Sequence, residues 1–240
     1  MQSYTIIADL HTHTNASAHA YSTVTENAAA AARHGMRVLG TTDHGPSIPD
    51  SPHMWHFGNL KVLPERIEGV RVLHGAEVNV LAGGALDMSD SVLSSLDVVV
   101  ASMHSGVMPE CGMEGCTAAW LAVAANPHIA IIGHSGSPEF AYDYERVIPE
   151  FGKRGKAVEI NEHSYRARPT SAENCRKIAQ ICAKHRVPIV VDSDAHFHEY
   201  VGRHPRCLAM LGEINFPPEL IVNGSMQHMA EFFGTRNVTI

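Results

Sequence analysis

The sequence predicts an α/β fold, a β/α barrel of mainly parallel strands with a metal site on its C-terminal rim. Three observations predict it. Short β-branched runs alternate with helical segments along the chain, which gives a parallel sheet. Several of the runs are apolar without alternation, as strands buried on both faces are. And a histidine or carboxylate recurs where each run ends, the place where β/α barrels carry their sites.

The strands fall at residues 4–9, 38–42, 72–80, 98–102, 129–133, 157–160 and 188–192. Thr23-x-x-Glu26 is a capping box that opens a helix over 26–34, and Gly35 closes it in the C′ position. Helices follow at 117–125 and 143–154. Thr170-x-x-Glu173 reads as a second capping box, opening 171–185, where Cys175, Ile178 and Cys182 recur at helical spacing. Residues 214–222 and a short helix at 227–233 close the barrel or cap it. The longest irregular stretch, 45–60, is rich in Pro, Ser and His, and loops of that length are often functional.

With 240 residues, no low-complexity tract and no linker, the chain reads as one domain over 1–240. A hydrophobic content of 45% and 18% charged residues suit a soluble globular protein. The net charge is −7 and no basic stripe exists, which excludes long nucleic acid as a partner but allows a small phosphorylated substrate in a locally positive pocket. No signal peptide or membrane-spanning stretch is present and the five cysteines are odd in number, so a reducing, cytoplasmic location is expected. Cys111 and Cys116 read as free thiols on a loop.

The unusual count is 17 histidines, dispersed rather than in a run. Nine candidate ligands sit at the strand ends or just after them: His11, His13, His19, His44, Glu77, His104, His134, Asp194 and His196. His11 and His13 are two apart and share a face, Asp194 and His196 repeat the spacing after the last strand, and barrel closure brings the pairs together. One tetrahedral ion uses about four ligands, so nine imply two or three ions with Glu77 or Asp194 as a bridge. Imidazole with carboxylate suits Zn, Mn or Fe rather than Ca or Mg. Asp43 reads either as an acceptor for the His44 ring or as a turn residue. His53, Trp55 and His56 read as pocket cover or as a packed loop. His34, His74, His128, His185, His204 and His228 fall off the rim, while His163 and His198 follow strand ends and stay ambiguous.

The motifs resemble those of the PHP (polymerase and histidinol phosphatase) family of metal-dependent phosphoesterases, and within it the YcdX-type phosphatase subgroup. The likeness runs through H-T-H-T-N-A-S-A-H-A-Y-S, T-D-H-G-P, P-H-M-W-H-F, G-A-E-V-N, E-I-N at 159–161, E-N-C-R at 173–176 and S-D-A-H, ending near F-P-P-E at 216–219. It implies a distorted barrel of seven β/α units holding three divalent ions, zinc first, with manganese or iron compatible. One ion would take His11, His13, Glu77 and Asp194. A second would share Glu77 and add His104 and His134. The third would take His19, His44 and His196. The subgroup also implies a homo-oligomer, a trimer. One departure is Ser135 after His134, where the subgroup tends to have Pro.

Such ions lower the pKa of bound water from 15.7 to about 7 and neutralise phosphoryl charge, so the expected reaction is phosphomonoester hydrolysis by a metal-bound hydroxide. No protein nucleophile is required, since Ser105, Ser135 and Cys111 lack a His/Asp partner pattern. Arg168, after the sixth strand, is the candidate phosphate clamp, favoured over Arg166 by the family likeness. The alternatives are a histidinol-phosphate phosphatase, a non-catalytic metal-binding regulatory module, and a metal-dependent amidohydrolase. The last is disfavoured because no lysine stands at a strand end.

Overall fold

In a computed structural model, seven parallel strands stand side by side in the order β1-β2-β4-β5-β6-β7-β8, a nearly closed barrel wrapped by helices. All residues are described except 1–3, Asp50 and Pro169. The strands are β1 (Ala8–Asp9), β2 (Val38–Thr41), β4 (Val70–Asn79), β5 (Val98–Ser102), β6 (Ile131–Ile132), β7 (Ala157–Asn161) and β8 (Ile189–Asp192). A short β3 (Arg66–Ile67), absent from the sequence reading, pairs antiparallel with the start of β4. It is too brief to carry a periodic signal.

The helices are α1 (Val24–Arg33), α2 (Met54–Asn59), α3 (Asp90–Leu93), α4 (Gly112–Ala125), α5 (Tyr144–Lys153), α6 (Ser164–Ala167), α7 (Ser171–His185), α8 (Pro205–Glu213) and α9 (Met226–Gly234). The α1 capping box forms as expected, with the Glu26 N–H donating to Thr23 Oγ1 at 3.2 Å and the Thr23 N–H to Glu26 at 2.7 Å. The second expected box does not form. Thr170 already has helical φ and ψ, so its side chain makes no cap, and Glu173 instead pairs with Lys177 at 2.7 Å. α4 begins five residues earlier than expected, so Cys116 lies inside a helix and is buried rather than on a loop.

Between β1 and β8 the barrel is closed by a side chain. The Asn223 amide donates to the carbonyls of Ala8 (2.9 Å) and Val191 (2.8 Å) and accepts from the Val191 N–H (3.0 Å), standing in for part of the missing strand pairing. Further up the rim the two chains meet directly at a Thr12–Ala195 bridge, where the His13 N–H donates to the Ala195 carbonyl at 2.9 Å. Residues 218–224 thus form the seam, and α9 plugs the strand starts. Its Met229 and Phe233 are fully buried against the barrel interior of Ala8, Leu10, Val38, Leu73, Val98 and Val190. The larger core lies between strands and helices, around Trp120, Phe151, Ile178 and Leu211.

Candidate metal centre

The strands deliver their chemistry to one rim. His11 and His13 continue β1, His44 follows β2, Glu77 lies in β4, His104 and His134 follow β5 and β6, and Asp194 and His196 follow β8. His19 arrives on the loop between β1 and α1. The approach is tight at Gly133, where a Cβ would stand 2.1 Å from Ser102 Oγ, so only glycine lets β6 deliver His134.

Five of the histidines surround Glu77, and Asp194, His19 and His196 join the cluster through them. Its Oε1 is 2.9 Å from His134 Nε2, 3.3 Å from His11 Nε2 and 3.3 Å from His104 Nε2. Its Oε2 is 2.7 Å from His44 Nδ1 and 3.6 Å from His13 Nε2. Asp194 Oδ1 lies 3.1 Å from His13 Nε2 and 3.7 Å from His11 Nε2. A third group forms at the mouth, where His19 Nε2 stands 3.2 Å from His44 Nε2 and 3.1 Å from His196 Nε2.

The arrangement fits metal ions better than hydrogen bonding. Ligand atoms on a tetrahedron with bonds of about 2.1 Å sit about 3.4 Å apart, near the separations seen here. His11 Nε2, His44 Nδ1, His104 Nε2 and Glu77 Oε2 are buried with no hydrogen-bond partner, although each faces the cluster centre. Buried polar atoms are rarely left so. Three overlapping groups have ligand atoms all within 4.8 Å of one another: His11–His13–Asp194, His44–Glu77–His104 and His13–His44–His196.

A surrounding set of side chains aims the rings, and the sequence reading missed most of it. Glu159 on β7 accepts from His11 Nδ1 at 2.7 Å and from the His134 N–H at 2.6 Å. Asn79 Oδ1 accepts from His104 Nδ1 at 2.7 Å, while Asp87 holds the Asn79 amide. The Asn161 amide donates to Asp194 Oδ2 at 3.2 Å. Each ring held through one nitrogen presents the other to the cluster. Glu159, Asn161 and Asn79 all lie in motifs quoted for the family likeness, and that was their only signal. Asp43 fills neither expected role. It accepts from the Thr14 N–H (2.8 Å), Thr14 Oγ1 (2.7 Å) and Ser17 Oγ (2.8 Å), and so shapes the loop between His13 and His19.

Electrostatics ionise the carboxylates and divide the histidines. Burial opposes ionisation of Glu77, but His11, His104 and His44 outweigh it and hold the carboxyl well below the usual range. Asp194 follows the same pattern, with His11 and His13 overcoming burial. Burial, reinforced by Arg168, pushes His134 down to about 4, leaving a neutral ring. Burial lowers His11 too, yet Glu159, Glu77 and Asp194 together raise it well above an ordinary histidine. Two of the candidate positions carry backbone strain, His134 at φ +21° and Asp194 in the left-handed region at φ +53°.

The cluster opens into a cavity of about 650 Å³, walled by Arg168, His163, Ser105, Glu139 and Phe140. Arg168 Nη1 is anchored on Ser164 Oγ at 3.1 Å. His163 stacks on His196 with ring centroids 5.3 Å apart, while His198 turns away to Ser22 Oγ at 3.0 Å. His53, Trp55 and His56 do not cover this cavity. His53 caps α2, His56 lies 3.3 Å from Asp43, and the exposed Trp55 lines a separate groove. Ser135, at the departure from the subgroup pattern, is 3.0 Å from the Tyr142 hydroxyl. The Cys111 and Cys116 sulfurs lie 2.9 Å apart and are free thiols.

Imidazoles and carboxylates gathered on the C-terminal rim of a parallel barrel define a metal-site barrel protein. Residues 9–163 match the PHP domain and residues 172–204 the PHP-associated region, so the chain belongs to the PHP domain family. It is 42% identical over 227 residues to a probable phosphatase of Clostridium botulinum, covering 94% of this chain and 93% of that one. It is also 42% identical to a probable phosphatase of Acetivibrio thermocellus, covering 94% of each. Among solved structures, a histidinol phosphate phosphatase from Lactococcus lactis, complexed with zinc, L-histidinol and phosphate, shares the fold. Its TM-score is 0.59 at 14% identity, over 86% of this chain and 91% of that one.

Proposed function

We propose that this protein is a metal-dependent phosphatase that hydrolyses small phosphate monoesters at a centre of three divalent ions. The observation that carries the reading is the gathering of seven imidazoles with Glu77 and Asp194 in one contiguous cluster, at a cavity that also holds Arg168. His11, His13, Glu77 and Asp194 hold one ion; Glu77, His104 and His134 a second; His19, His44 and His196 the third. The separations around Glu77, Asp194 and His19 support this partition. The relatives named probable phosphatase support the reaction class. Zinc is the first ion to test, because the donor set suits it and the L. lactis structure contains it.

When bound, the ions supply Lewis acidity, making water ionisable near neutral pH and offsetting phosphoryl charge. The chain's own residues do the rest. Glu77 would be shared between two ions, and Glu159 and Asn79 fix the His11 and His104 rings toward the cluster. Arg168 offers a planar fork to the phosphoryl oxygens and holds the ester against the cluster. The burial of His11, His13 and Glu77 excludes bulk water beneath the ester and strengthens these interactions.

The test is phosphate release from a broad phosphomonoester panel, with metal-reconstituted protein beside His13→Ala and metal content measured for both. Turnover that disappears in the variant together with bound metal supports the reading. A fully loaded protein that releases no phosphate from any ester would overturn it.

A further inference from the structure

A second recess adjoins the metal-bearing cavity, and the two share His163 and Asp194 as a common wall. The recess encloses about 220 Å³ and is lined by Arg166, Arg203 and Arg206, with Glu162 and Tyr200 completing it. The short helix α6 explains how it is built. Arg168, just past α6, lines the metal cavity, whereas Arg166, within it, turns the other way and lies 4.2 Å from the centre of the Tyr200 ring. One turn of chain thus divides two guanidiniums between two adjacent spaces.

Arg203 lies just before α8 and Arg206 in its first turn. The start of α8 is fixed to the end of β7, because Glu162, just past β7, accepts the N–H groups of Arg206 and Cys207, each at 3.0 Å. Glu162 is therefore engaged with backbone donors and Asp194 with the histidine cluster, while three guanidiniums line the rest of the recess. Among the described residues, only Arg203 of the three pairs with a carboxylate, Glu199 at 3.6 Å. The lining sets three guanidiniums against two carboxylates, Glu162 and Asp194, and lies one ring's width from the cluster. Arginine forks bind phosphate with charge-assisted, bidentate hydrogen bonds.

We propose that this recess is a second anion subsite that takes a second phosphate of the same substrate, so that bisphosphorylated small molecules are preferred over monophosphates. The proposal rests on the phosphatase reading of the metal cavity. The scissile phosphate lies at the cluster against Arg168, and the distal one reaches past His163 to Arg166 and Arg206.

Two measurements on metal-loaded protein test it. The first compares kcat/KM for alkanediol bisphosphates of increasing length with that for alkyl monophosphates of the same length. At the matching length the bisphosphate is expected to be favoured by about ten- to a hundredfold, as charged hydrogen bonds imply. The ratio is expected to collapse toward one in Arg166→Ala and Arg206→Ala but to persist in Arg186→Ala, a surface arginine at the end of α7. The second measures calorimetric binding of butane-1,4-bisphosphonate against butylphosphonate, which requires no turnover. Tighter binding of the bisphosphonate that is lost in Arg166→Ala and Arg206→Ala supports the subsite. Equal affinity, or a preference that survives both substitutions, overturns it. Failure of every ester to react would instead overturn the phosphatase reading, with the phosphonate comparison still deciding the recess.

Discussion

Glu159 stands outside the inner ring of donors, yet it accepts from both the His11 ring and the His134 N–H. Glu159→Gln keeps the shape but gives up an acceptor, so one of two buried donors loses its partner. Metal affinity is expected to fall about ten- to a hundredfold, measured by competition with a chromogenic chelator, with the fold retained by circular dichroism. Asp194 gives a second prediction. Its left-handed φ of +53° costs an ordinary residue about 1 kcal/mol, which glycine avoids. Asp194→Gly should therefore be more stable than Asp194→Ala by about 1 kcal/mol in urea unfolding, while both lose metal. The nine candidates were readable in the sequence because they stand at or shortly after apolar runs, and the structure brings them into one cluster. Glu159 and Asn79 were not readable as orienting groups. Their role depends on which nitrogen of a distant ring faces them, and no spacing along the chain encodes that.

At the scale of elements, seven strands could be read from apolar runs and α1 from its caps. α8 could not, and the closing segment was readable only as a stretch over 214–222 and a helix over 227–233 that close or cap the barrel, without the side chain that does it. α8 starts at a proline with no side-chain cap, and the seam depends on one amide reaching two strands over thirty residues away or more. Asn223→Ala leaves the Ala8 and Val191 carbonyls and the Val191 N–H without that partner. At about 1–3 kcal/mol per unsatisfied buried group, a loss of at least 2 kcal/mol is expected by chemical denaturation. If the variant matches wild type, the seam is held by other contacts. Lys156, at the start of β7, donates to the carbonyls of Asn126 (2.6 Å) and Ile129 (2.8 Å), tying the end of α4 to the strand starts. Burial pushes its pKa down to about 8, below the 10.5 of an unfolded lysine. The unfolded chain then binds more protons between those values, so this residue's contribution to stability grows as pH rises from 8 to 10.5 and is lost as pH falls through 8. The difference in unfolding free energy between wild type and Lys156→Met should follow that slope. A flat difference would rule it out.

Across the whole molecule, the proposed metal ligands draw on the ends of β1, β2, β4, β5, β6 and β8, so bound ions cross-link most of the rim. Removing them with a chelator should lower the melting temperature. A ligand at a thousand times its Kd contributes about 4 kcal/mol, or about 8–16 °C for a chain of this size. Readdition should restore it, and an unchanged transition would show that the ions do not bear on folding. Among the described residues no helix is long and apolar enough to cross a membrane. The closure between β1 and β8 has a further consequence during synthesis. His13 and Asp194 stand 3.1 Å apart across 181 residues of chain, and the bridge between Thr12 and Ala195 lies beside them. While a nascent chain has emerged only through β7, His11 and His13 have their β2, β4, β5 and β6 neighbours but no carboxylate from β8. Ion capture at that corner must wait until the ribosome has released β8. A stalled chain ending before Asp194 is expected to acquire less metal than one stalled beyond α8, and the difference would time the moment at which the barrel shuts.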